Sequence, residues 1–228
     1  MQEHRVLALF NFEQYPNSIV LKLRILIQRL IWDGYLCSLV IDHFAKHAKF
    51  MTMEEQIDAL ILKFLNKDEG DPYHYGNKLA KIGTPEVKEK LIAVVKGDDL
   101  DNAFLAAKVL GIMEENTDAL NAILEVIHLP ANRGTNGGLV SILEDFDLSD
   151  KFVDIFRIYL FGNFKAHTLA KQYLDYTEFD ITPRTLKKAE KHWNHFLNNS
   201  SADEWFELKK QEAEVIFKEI REILGSDQ

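Results

Sequence analysis

Two histidine pairs carry the metal-like spacing in this chain. His43 and His47 stand four residues apart, and His192 and His195 three apart, so each pair can share one helix face. Neither pair is accompanied by the glutamate of a His-Glu-x-x-His arrangement or by neighbouring cysteine ligands, so packing or surface roles account for them. Arg133-Gly-Thr-Asn-Gly-Gly138 has the glycine content of a phosphate cradle. It lacks the Gly-Lys-Ser/Thr ending that puts a lysine over phosphates and a hydroxyl on magnesium, and no strand is predicted before it. After Pro130 it reads as a flexible loop between repeats whose exposed edge can touch a partner. The carboxylates Glu114 and Glu115, Glu144 and Asp145, and Asp98 and Asp99 are sequence neighbours. Acid–base catalysis needs opposed groups around a substrate with separated pKa values, and adjacent carboxylates usually face water. Ser141 with scattered histidines makes no triad. No catalytic residue, metal or cofactor is therefore assigned.

The elements that would position any site are helical. The chain has 228 residues, of which 46% are hydrophobic and 15 are phenylalanine, enough to bury a sizeable core and too apolar for disorder. Its formal net charge of -9 leaves no cationic excess to replace phosphate counterions, which argues against a duplex nucleic-acid partner. The single cysteine, Cys37, lies among Leu36, Leu39 and Val40 and reads as a buried thiol in a reducing compartment. Met1-Gln-Glu-His-Arg5 does not open a signal peptide, and Ile19 to Trp32 is interrupted by Lys22, Arg24, Gln28 and Arg29. A cytoplasmic protein without membrane spans is expected, its oligomeric state unspecified.

Apolar residues at helical spacing, punctuated by caps, divide the chain into pairs. Ile19, Leu23, Leu26, Ile27 and Leu30 open a first helix, a second runs from about Tyr35 to Lys49, and a third from Met53 to Asn66 follows a Thr52/Glu55 capping box. Residues 1–66 then form an amino-terminal cap. Helix pairs follow over residues 72–177: Pro72 to Ile82 with Thr84 to Lys96, Leu100 to Gly111 with Asn116 to His128, Gly138 to Glu144 with Ser149 to Phe161, and a last unit opening near Lys165 and ending its first helix at Asp175. The equivalent turn positions Gly83, Gly111, Glu144 and Asp175 are spaced 28, 33 and 31 residues. Residues 182–225 form a carboxy-terminal cap. One helix starts at Thr182-Pro183, and a second, after Ser201 and Glu204, buries Trp205, Leu208, Ile216, Ile220 and Ile223 while Lys209, Lys210, Lys218 and Arg221 dress its outer side. The whole is expected to be one elongated domain, 1–228, because a repeat of this period buries its apolar face only against its neighbours.

Lys78-Leu-Ala-Lys-Ile-Gly-Thr-Pro-Glu-Val-Lys-Glu-Lys-Leu91, and Ala106-Ala-Lys-Val-Leu-Gly111 followed by Ala119-Leu-Asn-Ala-Ile-Leu124, resemble HEAT repeats of the short bacterial type. The resemblance spans Tyr73 to Ile127, about a quarter of the chain. It implies an all-α fold, an alpha-alpha superhelix of antiparallel helix pairs, and usually a binding scaffold; a few members of that superfamily are phycobilin lyases or DNA glycosylases.

With the second helices as inner wall, the residues between the apolar positions are Glu86, Glu89, Asp118, Asn121, Glu125, Asp150 and Asp154, relieved by Lys88 and Arg157. Such a wall repels a phosphate backbone and favours a basic peptide or basic protein surface. A non-enzymatic adaptor binding a protein or basic peptide is the leading expectation. An enzyme acting on a nucleobase or small ligand in the groove, and an acidic toxin-neutralising protein, are the alternatives. Aromatics from Phe146 to Phe179 are expected to be mostly core, with any exposed subset serving an interface.

Overall fold

The structure, a computed structural model, describes residues 51–68, 70–200 and 205–226. The helices expected between residues 19 and 49, Cys37, His43 and His47, and the Ser201/Glu204 cap lie outside them. The chain divides into two compact units, Met1–Glu54 and Glu55–Gln228. The described residues form ten α-helices and no strand: α1 (Met53–Leu65), α2 (Pro72–Ile82), α3 (Pro85–Val95), α4 (Leu100–Gly111), α5 (Thr117–Ile127), α6 (Gly137–Ser141), α7 (Phe152–Phe161), α8 (Phe164–Tyr176), α9 (Pro183–Asn199) and α10 (Phe206–Ser226).

The helix starts are written locally. Asp71, Thr84, Asp99, Asn163 and Thr182 each accept a hydrogen bond from a backbone N–H in the first turn that follows, and Pro72, Pro85 and Pro183 occupy first helical positions where no donor is lost. Gly83 ends α2 in the left-handed region, φ 61° and ψ 11°, with its N–H donated to the Leu79 carbonyl. A side chain is strained there, so Gly83→Ala is expected to lower the unfolding free energy by about 1 kcal/mol, read from the shift in a urea denaturation midpoint.

Several elements two apart in sequence are spatial neighbours. α2 packs on α4, α4 on α6 and on the 3-10 turn Ile142–Asp145 that prolongs α6, and α6 on α8; α3 packs on α5, and α7 on α9. Contacts of α3 with α4, α4 with α5 and α7 with α8 join the two rows. The predicted turn positions fall at corresponding places: Gly83 just after α2, Gly111 at the end of α4, Glu144 in the 3-10 turn and Asp175 in the last turn of α8. Tyr173 on α8 donates its hydroxyl to the Val140 carbonyl on α6 at 3.0 Å, a polar tie within one row.

Three local expectations are corrected. Gly111 is helical, and the left-handed residue between α4 and α5 is Glu115, φ 51°. Glycine fits position 111 for another reason: a Cβ there would stand 2.8 Å from Asp145 Cβ. The helix expected from Ser149 starts at Phe152, because Asp147 takes the Ser149 N–H and Leu148 the Lys151 N–H in a preceding turn. In α10 the buried stripe is Lys209, Ala213, Phe217 and Ile220, while Trp205, Leu208 and Ile223 are exposed. Lys209 is thus inside rather than on the charged outer side; its Nζ donates to the Leu160 carbonyl at 3.0 Å, at the end of α7 where helix carbonyls lack intrahelical partners.

The aromatic segment is largely core, as expected: Phe152, Phe156 and Tyr159 are buried, while Phe164 and Tyr176 are exposed. Tyr159 donates its hydroxyl to Glu212 Oε2 at 2.6 Å, and burial together with that carboxylate pushes the phenol well above its ordinary pKa.

Candidate functional site

The exposed residues of α5 form a stripe. Ala119, Leu120, Ala122, Ile123, Leu124, Val126 and Ile127 are buried, leaving Asp118, Asn121 and Glu125 in solvent and His128 half-buried, at steps of three and four residues. An ion pair and a histidine–carboxylate hydrogen bond align this stripe with its neighbours. Lys96, at the end of α3, meets Glu125 at 2.6 Å, and His128 Nε2 meets Asp154 Oδ1 on α7 at 3.0 Å. Glu89 lies two turns before Lys96 on the same side of α3 and is exposed. Glu86 is drawn instead toward α1, since Lys90, 3.7 Å from it, reaches Asp58 at 2.6 Å. Lys88 donates its Nζ to the carbonyls of Glu114 and Glu115, clamping the turn between α4 and α5.

The face is not uniformly acidic. Glu125 is paired with Lys96, Asp150 with Lys151 at 2.7 Å, and Asp154 with His128 and with Arg157, whose Nη1 stands 3.6 Å away. Glu89 on α3 and Asp118 at the start of α5 make no ion pair among the described residues, although α3 as a whole carries as many lysines as glutamates. Burial opposes ionisation of Asp154, but the hydrogen bond and charge of His128, helped by Arg157 and Lys151, hold its carboxyl below the usual carboxylate range. Burial also holds the His192 imidazole below its ordinary value, with Arg157 and His128 acting the same way and Asp154 opposing. His195 is exposed against the Phe161 ring, centroids 5.8 Å apart.

Where α5 and α7 meet, a small notch is lined by Ile127, His128, Arg133, Asn136, Arg157, Ile158, Phe161 and Gly162. The Arg133–Gly138 segment beside it is pinned rather than flexible. Asn132 and Asn136 donate their amides to the Val126 and Ile127 carbonyls at 2.9 and 3.0 Å, capping the end of α5, and Asn163 donates to the Gly134 carbonyl at 2.8 Å. Arg133 is thereby held over the Phe161 ring, 5.7 Å from its centroid. Of the residues meeting here, only Asp154 and Arg157 are among the predicted wall positions. His128 comes from the end of α5 and Arg133 and Asn136 from the loop after it, with no sequence spacing to link them to α7, whereas Phe161 stands one turn after Arg157 on the same helix.

Among the described residues no three His, Cys, Asp or Glu side chains converge in a metal-like group, and no helix is long and apolar enough to cross a membrane. No protein-family model, curated protein or solved structure matches this chain.

Proposed function

We propose that the chain is a HEAT-like alpha-alpha superhelix acting as a non-enzymatic protein-binding scaffold, with α3, α5 and α7 as its contact face. The observation that supports this reading is the alignment of polar stripes. Lys96–Glu125 and His128–Asp154 tie the three helices into one surface whose apolar residues point inward and whose polar residues point out. Two rows of helices that pack on neighbours two apart are the arrangement a stacked repeat uses to build such a surface. Glu89 and Asp118, exposed and unneutralised, suit a basic segment of the partner, recruited by long-range attraction.

The test is binding of a fluorescent lysine-rich peptide, by anisotropy at low and physiological salt, to the intact protein and to Glu89→Lys/Asp118→Lys. Both residues are exposed, so stability should change little, which thermal unfolding checks. The intact protein should bind with salt-sensitive affinity and the variant roughly tenfold more weakly. Equal affinity of the two would remove this face from the function.

A further inference from the structure

One helix carries a charge opposite to that of the chain. The net charge is -9, yet α9 holds Arg184, Lys187, Lys188 and Lys191 against a single acid, Glu190, which Arg221 of α10 already pairs at 2.8 Å. Arg184, Lys188, Lys191 and His195 recur at helical spacing and all are exposed, so they form one row along the solvent side of the helix. Ala189, Trp193 and Phe196 make its buried side. The row continues onto the loop after α5, because His195 and Arg133 both meet the Phe161 ring, at 5.8 and 5.7 Å from its centroid. Arg133, Arg184, Lys187, Lys188 and Lys191 make no ion pair among the described residues.

What accompanies these cations selects the kind of partner. None of the exposed large hydrophobic side chains of the described residues belongs to α9; Asn194, Asn198 and Asn199 share its outer side instead. A protein interface needs an apolar, desolvated centre, and a helix lying on a membrane needs an apolar face to bury. This row offers neither. A nucleic-acid interface is polar and cationic, with lysines and arginines on phosphates and amides on sugars and base edges. The overall negative charge of the chain opposes a duplex, which presents one charge per about 1.7 Å of its axis. A single strand has a lower charge density and exposes the faces of its bases. His195 supplies a ring for such a face at the end of the row, held between Phe161 and the Asn199 amide, whose Nδ2 lies 3.1 Å from its Nδ1.

We infer that the α9 row, from Arg184 to His195 and on to Arg133, binds the backbone of single-stranded nucleic acid, with a base stacked on His195. This surface goes beyond the scaffold reading and does not rest on it.

The experiment is fluorescence anisotropy of a labelled oligo-deoxythymidine titrated with the full chain. One phosphate neutralised by each of the four cations of α9 gives a slope of about -3 in log affinity against log salt, so binding should weaken roughly 50-fold between about 50 and 200 mM salt. Lys188→Glu/Lys191→Glu changes two exposed positions, with thermal unfolding as the check on folding, and should bind at least roughly tenfold more weakly. His195→Ala should weaken binding about fivefold with the salt slope unchanged, the mark of a lost stack rather than a lost charge. No binding at the lower salt, or unchanged affinity of either variant, would overturn the assignment. So would a duplex of the same length, poly-glutamate or phosphatidylserine vesicles binding as tightly as the single strand, since each would make the row a site for another class of anion.

Discussion

Phe156→Ala is expected to lower the unfolding free energy by about 3–5 kcal/mol, the range for removing a fully buried aromatic ring from a core. Phe156 has no exposed surface and stands between two parts of the fold. Its ring stacks with Phe152 and Tyr159 on α7 itself, centroids 5.9 and 6.1 Å away, and meets Phe217 of α10 edge-on at 5.2 Å. Truncation leaves a cavity whose lining comes from two helices far apart in sequence, so neither can close it by local adjustment. Phe156→Leu, which keeps much of the volume, should cost only roughly 1–2 kcal/mol. Urea denaturation followed by circular dichroism gives both values. A loss below about 1 kcal/mol for the alanine variant would mean that α10 is not held by this contact.

Lys209→Ala is expected to cost about 3 kcal/mol, for reasons that a surface lysine would not share. The side chain is 2% exposed, its Nζ donates to the Leu160 carbonyl and lies 5.7 Å from the centroid of the Phe196 ring. Alanine removes the packed stem, the charge-assisted hydrogen bond and a favourable cation at the end of α7 together. Lys209→Met separates them. It keeps the stem and loses the ammonium, so it should fall between the wild type and Lys209→Ala, about 1–2 kcal/mol below the former. If methionine restores full stability, the ammonium contributes nothing net and the lysine acts by shape alone, an outcome known for buried charges whose desolvation offsets their attraction.

The fold was legible wherever local chemistry decides. Thr84-Pro85, Asp99 and Thr182-Pro183 start helices within one residue of their predicted places, because a side-chain acceptor and a proline act on the backbone immediately beside them. Gly83 ends α2 for an equally local reason. The site was legible only along single helices. The periodicity of α5 placed Asp118, Asn121 and Glu125 on its polar side, but nothing in it shows that Lys96 pairs with Glu125, or that Lys88 is spent on the carbonyls of Glu114 and Glu115.

Sequence and structure part where a residue's neighbours come from distant sequence. Lys209 reads as an outer-side residue because lysine is polar, whereas the Leu160 carbonyl, presented by α7, gives its ammonium an acceptor inside the fold. The loop from Arg133 to Gly138 reads as flexible from its glycines, yet the carbonyls left open at the end of α5 and the amide of Asn163 hold it in place. Gly111 reads as a turn, whereas the close approach of Asp145 makes a small residue fit inside a helix.

By itself, therefore, the sequence determined an all-helical chain with helix pairs bounded at known residues, since caps, prolines and a 3.6-residue period are properties of one segment at a time. Tertiary structure alone decided which helices lie side by side, which charges cancel and where Arg133, Asn136 and Arg157 meet. Those outcomes depend on packing among side chains many residues apart, and no spacing along one strand of sequence encodes them.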